Sequence, residues 1–245
     1  TGGAQGFGLD IAKRFIQSGA KVIIWDIDEK ELKKASTLIN DQNLSCNVVD
    51  VSDPKSVDDV VNKITSKTKI DILINNAGIT GSTAELWNYD YEEWKKIVNI
   101  NLHGTFNCIA EAINGMRSQK FGRVVNVAST AGLKGYAYVS GYCAAKHAVV
   151  GLTRALAEET ATLGVTVNAV CPGYTDTSII RTGVENISKK TGRSQKEALE
   201  HFTSVNPQKR LIMPKEVSSA VAWLCSENSD AITGQCISVS AGEVM

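Results

Sequence analysis

Hydrophobic runs of strand length alternate along this chain with longer stretches in which apolar residues recur at helical spacing. The runs are rich in Val and Ile and nearly continuous in hydrophobicity, which is typical of strands covered on both faces. The alternation therefore predicts an α/β fold, a doubly wound parallel sheet with right-handed crossovers and helices on both faces. We place strands at Lys21–Asp26, Ser45–Val51, Ile70–Asn75, Gly122–Ala128, Val165–Cys171 and Gln235–Val239, and helices near 6–18, 29–40, 54–67, 91–118, 139–163 and 214–226.

One segment, residues 178–213, interrupts this alternation with polar, lysine-rich sequence and has helical potential near 194–204. Segments that follow the carboxyl end of a strand often carry the substrate contacts of α/β proteins. We therefore predict a substrate lid here, within a single domain that spans 1–245. A solvated surface excursion is the alternative.

Charge and composition exclude several classes of partner. Lys+Arg and Asp+Glu each number 26, so the formal net charge is zero and a nucleic-acid partner is not expected. No apolar run approaches the roughly 18 residues that a membrane-spanning helix needs, so no membrane partner is expected. The six cysteines form neither CxxC nor a Cys/His ligand spacing. This usage predicts reduced thiols, no bound metal and a cytoplasmic protein.

The chain opens with a glycine-rich loop, Thr1-Gly2-Gly3-Ala4-Gln5-Gly6-Phe7-Gly8, followed by a helical pattern. Glycines at 2, 6 and 8 permit a tight turn, close approach to a pyrophosphate and close packing of the helix on a sheet. The N–H groups at the start of that helix suit phosphate oxygens. The loop therefore predicts a Rossmann-type dinucleotide site formed by Gly2, Gln5, Gly6, Phe7 and Gly8.

An acidic residue, Asp26, ends the next predicted strand, twenty residues after Gly6. A carboxylate at this place binds the hydroxyls of the adenosine ribose and repels a 2′-phosphate. Gln5 is neutral and Ile27 is apolar, so neither offers a cation to such a phosphate. We therefore predict NAD as the cofactor and consider NADP less favoured. A turn-forming aspartate at a strand end is the alternative reading of Asp26.

A Rossmann unit has a strand before its glycine-rich turn, whereas this sequence begins at the turn. That strand is central in the topology, and its loss leaves ladder groups of both neighbours unpaired. We therefore expect that about ten residues, one strand with its lead-in, precede Thr1 in the natural protein. The expected fold is a single-domain Rossmann sheet with its first strand missing from this sequence.

Tyr142 and Lys146 are four residues apart in a predicted helix, and Ser129 precedes the tyrosine by thirteen residues. Four residues make one helical turn, so the phenol and the ammonium share a face. A free tyrosine has a pKa of about 10, and a neighbouring cation lowers it. The pair thus predicts a general acid/base. A surface Tyr and Lys on an amphipathic helix are the alternative.

In combination, these motifs resemble the short-chain dehydrogenase/reductase family over essentially the whole chain. The resemblance rests on Thr1-Gly2, Gly6, Gly8, Asn75-Asn76-Ala77-Gly78, Asn101, Ser129, Tyr142 with Lys146, and Pro172-Gly173, in this order. It implies an NAD(P)-dependent oxidoreductase that transfers hydride between nicotinamide and a secondary alcohol or ketone.

The resemblance also implies four catalytic roles. Ser129 binds the substrate carbonyl oxygen, and Tyr142 exchanges a proton with that oxygen. Lys146 lowers the tyrosine pKa and binds the nicotinamide ribose. The backbone carbonyl of Asn101 holds a water against Lys146 as part of a proton relay. Neighbouring alternatives are Thr130 for the serine and Asn99 for the asparagine.

Further cofactor contacts are implied by the same resemblance. Asp50 and Val51 meet the adenine, while Asn76, Ala77 and Gly78 support the sheet and line the adenosine side. On the nicotinamide side the implied residues are Pro172, Gly173, Thr175 through its backbone and Thr177 through its hydroxyl. A sharp Pro-Gly turn without any ligand is the alternative for this last segment.

The substrate is open at this stage. The resemblance is greatest to 3-oxoacyl-thioester reductases and 3-hydroxyacyl-CoA dehydrogenases, and basic lid residues suit a phosphate-bearing CoA or acyl carrier. These residues are Arg181, Lys189, Lys190, Arg193 and Lys196. A sugar, polyol or cyclic-alcohol dehydrogenase is the alternative, and a non-catalytic dinucleotide-binding regulatory protein is an alternative of another class. The resemblance implies a homotetramer, with the long helices at 91–118 and 139–163 in a dimer interface.

Overall fold

A computed structural model describes the backbone of residues 1–245 and all side chains except those of Ile179, Asn186 and Lys190. The lid cation predicted at Lys190 therefore lies outside the described residues.

The strands confirm the predicted parallel α/β architecture. Along the described chain they are β1 Val22–Asp26, β2 Leu44–Val48, β3 Ile72–Asn75, β4 Gly122–Val127, β5 Val165–Pro172 and β6 Cys236–Val239. β1 pairs with β2, β3 to β6 form a second sheet in sequence order, and every pairing is parallel.

The first residues of the chain lie between the two sheets and connect them. The Thr1 amino group donates to the Ile74 carbonyl at 2.8 Å, and the Gly3 N–H donates to the Trp25 carbonyl at 2.9 Å. The Thr1 hydroxyl accepts hydrogen bonds from the N–H groups of Asn76 and Ala77, both at 3.0 Å. The glycine-rich loop is thereby held against the carboxyl ends of β1 and β3.

The helices occupy the predicted places with two differences. They are α1 Gly6–Gln17, α2 Glu29–Ile39, α3 Pro54–Thr65, α4 Tyr91–Val98, α5 Gly104–Gln119, α6 Ser140–Thr160, α7 Ser178–Thr191, α8 Gln195–Thr203 and α9 Pro214–Leu224. The predicted helix at 91–118 is divided, since a π-helical turn at Asn99–His103 separates α4 from α5. The helix α7 was not predicted, although Ile180, Val184 and Ile187 recur in its segment at helical spacing.

Several helix starts follow directly from the sequence. Asp28, Asp53 and Asp90 each accept hydrogen bonds from N–H groups in the first turn of α2, α3 and α4. Ser194 forms a capping box with Glu197 at the start of α8. Such caps satisfy N–H groups that have no partner within the helix, each contributing about 1 kcal/mol.

Helices cover both faces of the larger sheet, as alternate residues of β4 show. Val124 packs into a cluster that includes Val57 and Ile109 of α3 and α5. Val125, which points to the opposite face, packs with Ile11 of α1 and Val221 of α9. Because β4 and β5 are buried along their whole length, their carboxyl ends are rigid supports for the residues that follow them.

Within the described chain, no helix combines the length and the hydropathy needed to cross a membrane. The segment predicted as a lid consists mainly of α7 and α8, which pack on each other. Gly183 allows their close approach, since a Cβ at this position would stand 3.2 Å from the Phe202 ring.

Candidate active site

The glycine-rich loop forms a tight turn that only small residues fit. Gly2 and Gly6 have positive φ angles of 59° and 53°. A Cβ on Gly8 would lie 2.0 Å from the Gly2 carbonyl oxygen and 2.7 Å from the Asn76 side-chain amide. The chain thus folds back on itself at this point, and α1 begins immediately after the extended residue Gln5.

The start of α1 can hold an anion. Among the described side chains none caps this helix, so the first-turn N–H groups remain available at the loop. Phosphate oxygens are suitable acceptors for such groups, and the helix dipole favours negative charge there. Residues Gln5, Gly6, Phe7 and Gly8 therefore fit a dinucleotide pyrophosphate.

Asn76 anchors the loop. Its side-chain amide donates to the carbonyl oxygens of Thr1 and Gly2, both at 3.0 Å. These bonds give Asn76 a structural role in holding the glycine-rich loop. The lining of the adenosine side by Asn76 and Ala77 stays a prediction.

The Asp26 carboxylate lies at the end of β1, beside the glycine-rich loop. One oxygen accepts from the Ala4 N–H and the other from the Asp28 N–H, both at 3.1 Å. These bonds fix its position, so the aspartate forms the strand-end turn that was the alternative reading. A carboxylate oxygen accepts more than one bond, so this turn is compatible with the predicted ribose contact. The neighbouring Ile27 is 67% exposed.

Asp50 and Val51 follow β2. The Asp50 carboxylate accepts from the Ser52 N–H at 2.9 Å and the Ser52 hydroxyl at 2.7 Å, which forms a turn before α3. Val51 is buried, and its carbonyl oxygen accepts from the Asn107 side chain at 2.9 Å. This carbonyl is therefore already engaged within the fold, and the adenine contact of these two residues stays a prediction.

Ser129, Tyr142 and Lys146 meet at the carboxyl end of β4. Ser129 directly follows the strand and caps a short 3₁₀ turn by accepting the Ala131 N–H at 3.1 Å. Tyr142 stands in the first turn of α6, with Lys146 one turn later. The Lys146 ammonium lies 5.7 Å from the centre of the Tyr142 ring, so the shared helix face is confirmed.

The electrostatics of the pair differ from the sequence prediction. Burial raises the pKa of Tyr142, and a hydrogen bond with Ser129 opposes this effect only in part. Burial also lowers the pKa of Lys146 to about 8. The Lys146 ammonium donates to the Val127 carbonyl at 2.8 Å rather than to the phenol. The predicted lowering of the tyrosine pKa is therefore wrong for this arrangement, since burial raises that pKa by more than the hydrogen bond with Ser129 lowers it.

Asn101 lies in the π-helical turn and is completely buried. Its side-chain amide donates to the carbonyl oxygens of Ile79 and Ile97, both at 2.9 Å. Its backbone carbonyl accepts from the Thr105 hydroxyl at 2.9 Å, while its side-chain oxygen has no partner among the described residues. The unpaired oxygen is thus on the side chain and not on the backbone group that was predicted to hold water.

Gly78 lies between Asn101 and Lys146. A Cβ at this position would stand 2.5 Å from the Asn101 side-chain oxygen and 3.5 Å from the Lys146 ammonium nitrogen. The absence of a side chain at Gly78 therefore leaves room for both polar groups.

The segment after β5 lies beside Ser129, because β5 pairs with β4 in parallel. Pro172 ends the strand, and the Gly173 N–H donates to the Val239 carbonyl at 3.0 Å. Thr175 is buried and its hydroxyl donates to the Gly173 carbonyl at 2.9 Å, while Thr177 directly precedes α7. A cleft of about 460 Å³ brings Thr177 together with Gln5 and Gly6 of the glycine-rich loop. The segment predicted to bind the pyrophosphate and the segment predicted to bind the nicotinamide thus lie side by side.

Comparisons with known proteins agree with this geometry. The family model described as enoyl-(acyl carrier protein) reductase matches residues 2–243. The chain is 34% identical to the 3-oxoacyl-[acyl-carrier-protein] reductase FabG of Chlamydia trachomatis, over 99% of this chain and 94% of that one. It is 35% identical to levodione reductase of Leifsonia aquatica, over 99% and 92% of the two chains.

This chain belongs to the short-chain dehydrogenase/reductase family. A single-site variant of actinorhodin polyketide ketoreductase, solved with NADPH, superposes with a TM-score of 0.93 at 33% identity, covering 99% of this chain and 94% of that one. The Rossmann fold and the oxidoreductase class that the motifs indicated are therefore confirmed.

One polar cluster of this short-chain dehydrogenase/reductase has no counterpart among the motifs of its sequence. The Tyr136 hydroxyl donates to the Glu243 carboxylate and lies 2.7 Å from the Thr130 hydroxyl. The Lys134 ammonium lies 3.1 Å from the same carboxylate. Burial, followed by the bond to Glu243, raises the pKa of Tyr136. The only sign of this cluster in the sequence is Glu243, the one charged side chain in Ser238–Met245.

Aromatic side chains extend this cluster towards the predicted lid. The Tyr174 ring contacts those of Tyr136 and Phe202 edge to face, with centroid distances of 6.2 and 5.2 Å. Phe202 belongs to α8, so the lid segment reaches the loops that follow β4 and β5. Among the described residues, no group of three His, Cys, Asp or Glu side chains is arranged to hold a metal ion.

Proposed function

We propose that this short-chain dehydrogenase/reductase is NAD-dependent and interconverts a secondary alcohol and a ketone, with Tyr142 as the general acid/base. The observation that carries the proposal is the meeting of Ser129, Tyr142 and Lys146 at the end of β4, next to the segment after β5. Nicotinamide, when bound, accepts or supplies the hydride.

Ser129 and Tyr142 stabilise the charge on the substrate oxygen and transfer the proton. The Ser129 hydroxyl donates a hydrogen bond to the substrate oxygen and stabilises the negative charge that develops there during reduction. Tyr142 donates its phenolic proton to that oxygen, and in the oxidative direction it takes the proton back. Because burial raises its pKa, Tyr142 is protonated near neutral pH and is ready to act as the acid of a reduction.

Lys146 and Asn101 extend this site with groups suited to a proton relay. With a pKa of about 8, Lys146 changes its protonation state within the ordinary working range of an enzyme. The unpaired Asn101 side-chain oxygen and the Lys146 ammonium both lie close to Gly78, 2.5 and 3.5 Å from the position of an added Cβ. We assign to Lys146 the ribose hydroxyls and the first step of the proton relay, and to Asn101 the positioning of the relay.

NAD is favoured over NADP by the residues around Asp26. Its carboxylate is fixed at the end of β1 by two backbone N–H groups, where it disfavours a 2′-phosphate. Gln5 and Ile27 supply no positive charge to offset this repulsion. The actinorhodin ketoreductase is described with NADPH, so cofactor preference is a point on which this chain would differ from that relative.

A 3-oxoacyl or 3-hydroxyacyl thioester is the first substrate candidate. It is supported by the FabG relative and by the exposed lid cations Lys189, Arg193 and Lys196. Arg181 gives less support, because it forms an ion pair with Asp176 at 2.9 Å.

A sugar, polyol or cyclic alcohol is the second candidate. Levodione reductase is equally similar to this chain, and the buried Glu243 carboxylate suits a substrate with hydroxyl groups. A non-catalytic, dinucleotide-binding regulatory protein is disfavoured, since Asn101, Ser129, Tyr142 and Lys146 are all present.

The homotetramer and the cytoplasmic location stay predictions. Tyr91 of α4 and Phe106 of α5 are 69% and 55% exposed, which is compatible with a subunit contact through these helices.

An activity screen tests the proposal. NADH and NADPH are supplied in parallel with acetoacetyl-CoA, a short 3-oxoacyl thioester of N-acetylcysteamine, ketoses and cyclic ketones. Oxidation of NADH by at least one ketone supports the proposal, and the class of ketone decides between the two substrates. Binding of NADH without turnover of any substrate would instead favour the regulatory alternative.

A further inference from the structure

The Glu243 carboxylate is buried near the end of the chain, which is unusual for a charged group. Its side chain is 0% exposed, and one oxygen is shared by the Tyr136 hydroxyl and the Lys134 ammonium. The other oxygen is buried and has no hydrogen-bond partner among the described residues. Buried polar atoms are nearly always paired, because an unpaired one costs about 1–3 kcal/mol. The free oxygen therefore needs an explanation.

The position of that oxygen points to the substrate. A Cβ added to Gly173, the residue directly after β5, would lie 3.0 Å from this Glu243 oxygen. On the other side, Tyr136 bonds to Thr130, the residue next to Ser129. The Tyr136 N–H lies 3.4 Å from the sulfur of Cys143, the residue next to Tyr142. The carboxylate thus lies between the segment that carries the reacting groups and the predicted nicotinamide segment.

Aromatic rings extend from this carboxylate towards α8. The Tyr174 ring lies between Tyr136 and Phe202, and burial, together with the charge of Glu243, raises the pKa of Tyr174. The free Glu243 oxygen is buried in this structure, so a substrate group would have to enter between these rings to reach it. A hydroxyl is the donor that fits, since an alkyl group there would leave the carboxylate oxygen unpaired.

We propose that Glu243, oriented by Tyr136 and Lys134, is a specificity-determining residue that accepts a hydrogen bond from a hydroxyl group near the reacting carbonyl. This inference rests on the proposed function and names its substrate class as hydroxyketones and the corresponding polyols. It favours the second substrate candidate over an acyl thioester.

Three ketones that differ only in one hydroxyl test the inference: butanone, 3-hydroxybutanone and 4-hydroxybutanone, each reduced with NADH. The unchanged enzyme should have a kcat/KM at least about 10-fold higher for one or both hydroxybutanones than for butanone. In Glu243→Gln this preference should fall by about 10-fold or more through KM, with butanone reduction little changed. Glu243→Leu, which removes the acceptor, should favour butanone. The exposed Glu227→Gln is the matched control and should keep the original preference.

Melting temperature and NADH affinity show whether each variant is folded. Tyr136→Phe provides a second variant in case Glu243 variants do not fold, and its hydroxyketone preference should also fall. An equal loss for all three ketones in folded variants, or no hydroxyl preference in the unchanged enzyme, overturns the inference while leaving the proposed function intact. An enzyme that reduces no ketone of the broader screen contradicts the proposed function and the inference together.

Discussion

The Lys146 ammonium donates a hydrogen bond to the Val127 carbonyl oxygen, 2.8 Å away. Val127 is the last residue of β4, two positions before Ser129. The bond therefore ties the helix that carries Tyr142 to the strand that positions the serine. It also holds a cation in a buried place where its charged form is disfavoured.

The burial of Lys146 predicts a pH dependence of stability. Its pKa is about 8 in the folded protein, against about 10.4 for an unfolded lysine. Between these values the unfolded chain binds more protons, so this residue makes the free energy of unfolding rise with pH. The rise amounts to at most about 3 kcal/mol.

Lys146→Met should lack this rise. Urea unfolding of both proteins between about pH 8 and about pH 10 measures the difference, and groups common to both largely cancel. Parallel stability curves for the two proteins would show that Lys146 keeps an ordinary pKa in the fold.

Gly78→Ala should damage both stability and activity. Its new Cβ would stand 2.5 Å from the Asn101 side-chain oxygen, and overpacking of this kind costs about 1–3 kcal/mol. The displacement of Asn101 and Lys146 should also lower kcat. Thermal unfolding and steady-state kinetics measure the two effects.

Gly115→Ala is the matched control for that variant. Gly115 is an exposed residue of α5 with nothing within 4 Å of an added Cβ. Alanine should stabilise the helix by up to about 1 kcal/mol and leave kcat unchanged. If Gly78→Ala behaved like Gly115→Ala, the close approach of Gly78 to the catalytic groups would be refuted.

Asp26→Asn should weaken the discrimination against NADPH. The amide removes the negative charge that faces a 2′-phosphate, and the ratio of kcat/KM for NADPH to that for NADH should rise at least about 10-fold. Asp28→Asn, which removes a charge two residues away and still caps α2, should leave the ratio unchanged. An unchanged ratio in both variants would mean that another group recognises the ribose.

Ser129→Ala should lower kcat by about 100- to 1,000-fold, because the developing oxyanion loses a hydrogen-bond donor. Thr130→Ser, which keeps the hydroxyl that lies beside Tyr136, should have little effect. Steady-state kinetics at saturating NADH compare the two. A larger loss in Thr130→Ser than in Ser129→Ala would transfer the role to the neighbouring residue.

The sequence was sufficient for features that depend on local periodicity. The apolar runs predicted the strands within a few residues, and the spacing of Tyr142 and Lys146 placed both on one face of α6. The glycine pattern predicted a tight loop, and the structure has one: a Cβ on Gly8 would clash with the Gly2 carbonyl oxygen. Each of these features is determined by residues close together in the chain.

Features that depend on distant contacts were not predictable in this way. The π-helical turn at Asn99–His103 coincides with the bond from Asn101 to Ile79, which belongs to another segment. The sign of the Tyr142 pKa shift depends on burial, which residue spacing does not contain. Tyr136 and Glu243 are separated by 107 positions, so neither residue alone indicated the cluster.

The most direct test of the account is the rate of NADH oxidation in the unchanged enzyme and in Tyr142→Phe, with the best ketone of the screen. We expect the variant to bind NADH with unchanged affinity and to be slower by about 100- to 10,000-fold, because the proton donor is lost. A Tyr142→Phe variant that keeps the full rate would contradict the account.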